Sequence, residues 1–293
     1  MKIQGYQISI EADTQTLILE NKMNADCSDI RFVDDEKEIP YWIESGCNTT
    51  ETKIWVKLNI SGNSSKTIYI YYGNPDAESK SNGDDVFEFF DDFESGNLNK
   101  WDANSSYVSF DDGIVDFYDN DWCDSPYGYA EKVISGKDVI VETYMKFVPG
   151  TLDWWGNCAH FCENGYCRTG GTSVRYYNNS DNYQGMFHVG YYEGRTEQSL
   201  NSCDPNNQFR IIPHSTWYRE IIKVTEEKPP GFPDYSKIKI VLYSSHCQGG
   251  TTHEYHDWIF VRKYASTEST IQLGNEEESN CETPEPAELP DLT

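Results

Sequence analysis

Cysteine is the side chain in this 293-residue sequence with the widest reactive repertoire, and there are nine of them. The densest group is "CAHFCENGYC", which sets Cys158, His160, Cys162 and Cys167 at a spacing that could close around zinc. The same residues can instead form disulfides, and the surroundings favour that use. Asn48, Asn59, Asn63, Asn104 and Asn178 each begin an Asn-x-Ser/Thr acceptor for N-glycosylation. Such acceptors beside many cysteines belong to an oxidising, extracellular setting. Cys27 and Cys47 are expected to pair, because they flank two strand-like segments and no other cysteine lies in residues 1–85. Cys123, Cys158, Cys162, Cys167, Cys203 and Cys247 remain for the rest of the fold, with their pairing open. Cys281 stands apart in the acidic, Pro-rich "EEESNCETPEPAELP". Its acidic neighbours disfavour the thiolate, so it reads as an intermolecular thiol or one that pairs beyond this stretch of chain.

Nucleophile and phosphate chemistry leave no local mark. There is no Gly-x-Ser-x-Gly elbow. The Gly-rich "RTGGTS" lacks the lysine of a phosphate-cradling loop and the helix that should follow it. Aromatic residues are plentiful, at 14% with 21 Tyr and 8 Trp. Many lie in the middle of the chain: Trp154, Trp155, Tyr176, Tyr177, Tyr183, Phe187, Tyr191 and Tyr192, with Arg175 and His188 among them. On strands, alternate members face opposite sides. One set fills a core, and the other can stack on the C–H faces of sugar rings while polar neighbours read the hydroxyls. Trp154, Trp155, Arg175, Tyr177, Tyr183, His188 and Tyr192 are the expected ligand-binding set.

The formal charge of −26 makes nucleic acid and anionic membrane poor partners, since both need clustered Lys and Arg. Glycans, cations and neighbouring protein chains remain. No apolar run approaches 18 residues and no signal peptide is visible. The expectation is a mature ectodomain or a piece of a longer surface protein.

Strands must position these residues. In "TKIWVKLNI", Ile54, Val56, Leu58 and Ile60 share one face, with Trp55, Lys57 and Asn59 on the other. "KTIYIYYGN", "DVIVETYMKF", "WYREIIKV", "KIKIVLY" and "DWIFVRKY" follow the same pattern, and Gly, Asn, Asp and Ser clusters separate them. Long amphipathic helices are absent. The polar "NPDAESKSNGDD" marks a boundary with at most a helical turn near Ala77. The expected fold is all-β with two β-sandwich domains: residues 1–85, residues 86–275 as a jelly roll, and an acidic tail over 276–293.

The blocks "KMNADCSDIRFVDDEKEIPYWIES", "TKIWVKLNI" and "TIYIYYGNP" resemble a domain of unknown function widespread in archaeal and bacterial surface proteins. "FEFFDDFESGNLNKW" resembles the entry strand of the concanavalin-A-like, laminin-G-like jelly roll that commonly follows it. "HDWIFVRKYASTESTIQLG" resembles the closing strand. Members usually carry a further strand before the one matching "GYQISIEAD", here expected to be missing or supplied elsewhere.

The resemblance implies one structural calcium where the entry and exit strands meet. Its ligands here would be Asp92, Gly113 and Asp257, and oxygen donors at a turn suit this hard cation. It also raises two enzymatic alternatives. Laminarinase-type glycoside hydrolases need Glu-x-Asp-x-x-Glu on one strand; "VDFYDND" and "ETYMK" do not supply it. A polysaccharide lyase would draw on Arg175, Tyr183, Gln184 and His188, residue types that any Tyr-rich strand provides. The expected function is therefore a non-catalytic extracellular adhesion or carbohydrate-recognition module. The runner-up is a structural subunit or spacer of a surface filament.

Overall fold

The computed structural model describes residues 2–62, 64–119, 128–135, 138–148, 160–163, 166–169, 173–177, 183–192, 198–200, 215–224, 237–244 and 251–277, with backbone alone for the strands between 160 and 200. The described chain is all-β apart from three short helical turns.

The N-terminal part holds β1 (Lys2–Ala12), α1 (Thr14–Leu19), β2 (Arg31–Asp34), β3 (Lys37–Ile39), β4 (Tyr41–Ser45), β5 (Thr52–Ser61) and β6 (Tyr69–Tyr71). Two three-stranded sheets form, in the orders β1-β5-β4 and β3-β2-β6, with every pair antiparallel. Ile10, Ile54 and Val56 from the first sheet pack on Phe32 from the second, with Tyr41, Met23 and Ile30 closing the core. The alternation in "TKIWVKLNI" thus holds for the inward face. The helix α1 has no counterpart in the sequence reading. It starts at the Asp13 cap, whose carboxylate accepts the Thr16 N–H at 2.9 Å and the Thr16 hydroxyl at 2.7 Å.

A short helix, α2 (Gly83–Val86), leads into the second part, rather than a turn near Ala77. Gly83 is obligatory there: a Cβ would meet the Phe90 ring at 2.4 Å. The strands that follow are β7 (Phe89–Asp91), β8 (Asp102–Asn104), β9 (Val108–Asp111), β10 (Ile114–Asp119), β11 (Tyr129–Ser135) and β12 (Val139–Val148). Next come β13 (His160–Glu163), β14 (Tyr166–Thr169), β15 (Ser173–Tyr177), β16 (Tyr183–Tyr192) and β17 (Gln198–Leu200). The last are β18 (Trp217–Val224), β19 (Lys237–Tyr243) and β20 (Thr252–Lys263).

Apart from the β13-β14 hairpin, these strands join in the order β8-β11-β19-β15-β16-β18-β12-β20-β10-β9, with β17 on β16 and β7 on β20. The path folds over on itself into a sandwich. Val115, Phe117, Val139, Val141, Ile222, Val224, Ile259 and Val261 face Ala130, Ile134, Ile238, Ile240 and Leu242 across the core.

A third cluster joins the two parts. Trp42 and Trp55 from the N-terminal sheet pack on Val86, Phe87, Phe90, Trp258 and Phe260. Phe260 stacks on Phe87 with centroids 4.0 Å apart, and Trp42 meets Phe90 edge-on at 4.9 Å. Trp55 therefore leaves its sheet on the face opposite Ile54, yet is only 3% exposed. The outer face of that strand is a second interior.

Candidate functional site

Register assembles the site on the outer face of the sheet β18-β12-β20-β10. Directly opposite residues of antiparallel strands share a face. Trp217 lies opposite Lys146, Lys146 opposite Tyr255, and Tyr255 opposite Asp116, making one row across four strands. The next row sets Val148 opposite His253 and His253 opposite Tyr118.

The side chains in these rows touch one another. The Lys146 ammonium sits 4.3 Å from the Tyr255 ring centroid and 5.2 Å from that of Trp217. His253 stacks on Tyr255 at 5.6 Å with planes 10° apart, and Tyr118 follows at 6.0 Å. Tyr144 stacks on Trp217 at 5.2 Å and on Trp258 at 6.0 Å, linking the band to the aromatic junction. The Asp116 carboxylate lies 2.8 Å from His253 Nδ1. Burial raises the pKa of Asp116, while the His253 hydrogen bond and the charges of His253 and Lys146 oppose that rise. Trp217, Tyr144, Lys146, Tyr255, His253 and Tyr118 are all partly exposed, so the band meets solvent.

Beside the band lies an acidic corner. A β-bulge in β20 shifts the register between Tyr144/Trp258 and Met145/His256 and leaves Asp257 as the extra residue. The strand β7 pairs with β20, setting Asp91 opposite Ile259. The buried Asp91 accepts the Trp101 indole N–H at 2.6 Å and the Phe93 N–H at 3.1 Å, and so fixes the turn that carries Asp92 and Glu94. Glu94 lies over Gly113, where a Cβ would meet its Oε1 at 2.4 Å. Burial raises the pKa of Asp257, and the charges of Glu94 and Asp92 raise it further. Asp257 in turn raises the Tyr144 hydroxyl, after burial.

Asp92, Gly113 and Asp257 are thus brought to one corner, and Glu94 joins them. Among the described residues no ion pair offsets these acids, and carboxylate oxygens are the donors that a hard divalent cation takes. Among the described residues, no three His, Cys, Asp or Glu side chains converge as a ready-made metal cage.

The bulge also turns His256 and Glu254 inward. His256 Nε2 lies 2.6 Å from Glu254 Oε1, and its Nδ1 lies 2.9 Å from Thr143 Oγ1. Thr143 donates to the Trp258 carbonyl at 2.8 Å, so its oxygen accepts from Nδ1–H. All three side chains are fully buried, and the relay braces the bulge from within. Glu142, the single acid of "ETYMK", is likewise buried. It accepts from Arg219 Nε at 2.8 Å and from Arg262 Nε at 2.5 Å. Arg219 also reaches Glu44 at 2.5 Å, and Glu44 accepts the Trp55 indole N–H at 2.6 Å.

The remaining expected residues fall as follows. Cys27 and Cys47 form a disulfide with Cα atoms 6.0 Å apart. Asn48 and Asn59 are exposed and Asn104 is half-exposed. Asn63, Asn178, Trp154, Trp155, Cys123, Cys158, Cys203, Cys247 and Cys281 lie outside the described residues. Arg175 and Tyr177 are on β15, and Tyr183, His188 and Tyr192 on β16, described as backbone only. Tyr177 pairs with Tyr183, while His188 pairs with Leu200 two strands from β15. Cys162 and Cys167 are opposite each other on β13 and β14.

Sequence reasoning missed Trp217, Tyr144, Lys146, Tyr255, His253, Tyr118, Asp116 and Glu94. Alternation in "WYREIIKV" and "HEYHDWIFV" holds a signal for some of them, but only strand order makes them neighbours.

No curated protein matches the chain. A solved structure described as "Prominent members of the human gut microbiota express endo-acting O-glycanases to initiate mucin breakdown" is 9% identical, with a TM-score of 0.34 over 61% of this chain and 100% of that one. A likeness of that size carries no argument. Residues 26–104 match the family model described as "Domain of unknown function (DUF2341)", a stretch that runs from the disulfide through the junction helix into β8.

Proposed function

We propose that the chain is a non-catalytic extracellular module of a cell-surface protein and that it recognises carbohydrate. The observation that carries this reading is the aromatic band on the outer face of β18-β12-β20-β10. Rings held by their neighbours offer rigid apolar area at little conformational cost, and Asp116, Lys146 and His253 supply polar contacts among them. The disulfide fits an oxidising compartment, and no described helix is long and apolar enough to cross a membrane. The pairing of β7 with β20 supports a concanavalin-A-like jelly roll for the second sandwich. We also propose a structural calcium held by Asp92, Glu94, Asp257 and backbone oxygen near Gly113. The cation would offset the charge that these acids place on one another. Exposed Asn48 and Asn59 suit glycosylation.

The test is binding to a panel of purified polysaccharides by affinity electrophoresis, for wild type and the Trp217→Ala and Tyr255→Ala variants. Retardation of wild type by at least one polysaccharide, lost in both variants with unchanged circular dichroism, is the expected result. Retardation by none rejects the reading.

A structural spacer is the second reading. The buried junction of Trp42, Trp55, Phe87 and Phe260 favours it, because it makes a stiff block of the two sandwiches. Chain-to-chain linkage through Cys281, or pairing along β6, which among the described strands pairs with β2 alone, would serve such a role.

A further inference from the structure

We infer that Asp116, Lys146 and His253, arranged about Tyr255, form a subsite for an uncharged pyranose with adjacent free hydroxyls; this rests on the carbohydrate reading above. Tyr255 is the fixed centre. Lys146 lies over its ring at 4.3 Å, and His253 stacks on it at 5.6 Å. Asp116 is its cross-strand neighbour on β10.

The polar inventory then decides the ligand class. An ionised carboxylate has about four lone-pair sites. His253 Nδ1 reaches the two Asp116 oxygens at 2.8 and 3.1 Å, which leaves acceptor capacity on both. Lys146 brings N–H donors within electrostatic reach of the same carboxylate. Neighbouring sugar hydroxyls each donate and accept. One can donate to Asp116 while the next accepts from Lys146, with the C–H face of the ring against the aromatic edge.

Charge excludes the alternative of an acidic sugar. Lys146 is balanced by Asp116 and shared between two aromatic rings. Toward the bulge the described charges are Asp257, Glu94 and Asp92, all negative, and the next cation along β18, Arg219, is held by Glu142 and Glu44. The chain as a whole carries −26, so a polyanion meets repulsion at long range as well as at contact.

The experiment is isothermal titration at fixed ionic strength, against neutral polysaccharides (a β-glucan, a xylan, a mannan) and polyanionic ones (a pectate, a sulfated galactan). Wild type is expected to bind a neutral polymer. Asp116→Asn should weaken that binding roughly tenfold, the effect of losing one charged hydrogen-bond acceptor. Asp116→Asn should keep the circular dichroism and Tm of wild type, which guards against a variant that misfolds. Preference for a polyanion, or tighter binding by Asp116→Asn, overturns the inference and leaves the carbohydrate reading standing. Neutral binding that survives both Asp116→Asn and Lys146→Ala moves the subsite elsewhere and also overturns it. Binding to no polysaccharide overturns both.

Discussion

Glu142 shows how one residue can hold two sandwiches together. Burial alone would raise its pKa, but the Arg219 and Arg262 guanidiniums overcome that effect and hold the carboxyl below the ordinary range. A depressed folded-state pKa contributes stability that is fully present above the unfolded value and is lost as pH falls through the folded one. The junction should therefore survive acidification into the range where ordinary carboxylates are protonated, and fail only below it. Glu142→Gln removes the buried carboxylate that two guanidiniums share, leaving, among the described acids, only Glu44 to Arg219 and only Glu268 to Arg262, and should cost about 3 kcal/mol. Urea unfolding at pH 7 measures this, and a loss under 1 kcal/mol would show that the network contributes little.

At the scale of the element, β20 does the most varied work. Its bulge changes which side of the sheet each residue meets. Before it, Tyr255 and His253 face the band and His256 and Glu254 the core; after it, Trp258 and Phe260 face the junction. Strict alternation read along "THEYHDWIFVRK" cannot locate that change, because a bulge is decided by the partner strand. This is why the strands were legible and the band was not. "TKIWVKLNI" and "WYREIIKV" carry their own period of two, whereas Trp217, Lys146, Tyr255 and Asp116 meet only through the register of four strands. Trp55 makes the same point: its face of β5 was identifiable, but nothing local says that a second sandwich covers it. The acidic corner was more accessible, since the blocks around Asp92 and Asp257 come from strands that the family resemblance already joins.

That corner gives a second test. Asp257→Asn removes one of three crowded charges, so in chelator it should raise Tm above that of wild type. Calcium should raise the wild-type Tm, by about 2.7 kcal/mol of stability at a hundredfold excess over Kd, and leave the variant unchanged. Scanning fluorimetry of both proteins with chelator and with added calcium is sufficient. A Tm of metal-loaded wild type that chelator does not lower counts against the site.

For the whole molecule, the aromatic junction and the Glu142 network predict one cooperative unit. Calorimetry should show a single transition for wild type. Trp55→Ala deletes a buried ring at a cost of about 3–5 kcal/mol and should split the trace into two, one for each sandwich. A wild-type trace that is already double would mean that the parts unfold independently. The Cys27–Cys47 loop, with a sequence separation of 20, adds about 3 kcal/mol to the N-terminal sandwich by limiting its unfolded chain. Reduction should therefore lower the transition, and in Trp55→Ala it should move only the N-terminal one.

After β20, residues 264–277 run back across the N-terminal sandwich without forming a strand. Glu268 accepts the Tyr6 hydroxyl at 2.6 Å and Arg262 at 2.9 Å. Farther along, Glu276 accepts Lys22 at 2.5 Å and Tyr72 at 2.9 Å. Were the chain anchored at a surface, as proposed above, this segment would act as a mechanical element. Tension applied beyond residue 277 loads the Glu276 clamp first and the Glu268 clamp second. Only then does it reach β20, which is hydrogen-bonded to β12, β10 and β7. Exposed ion pairs yield easily. The segment can pay out slack one clamp at a time, absorbing a tug while the strand that carries Tyr255 and His253 stays in register.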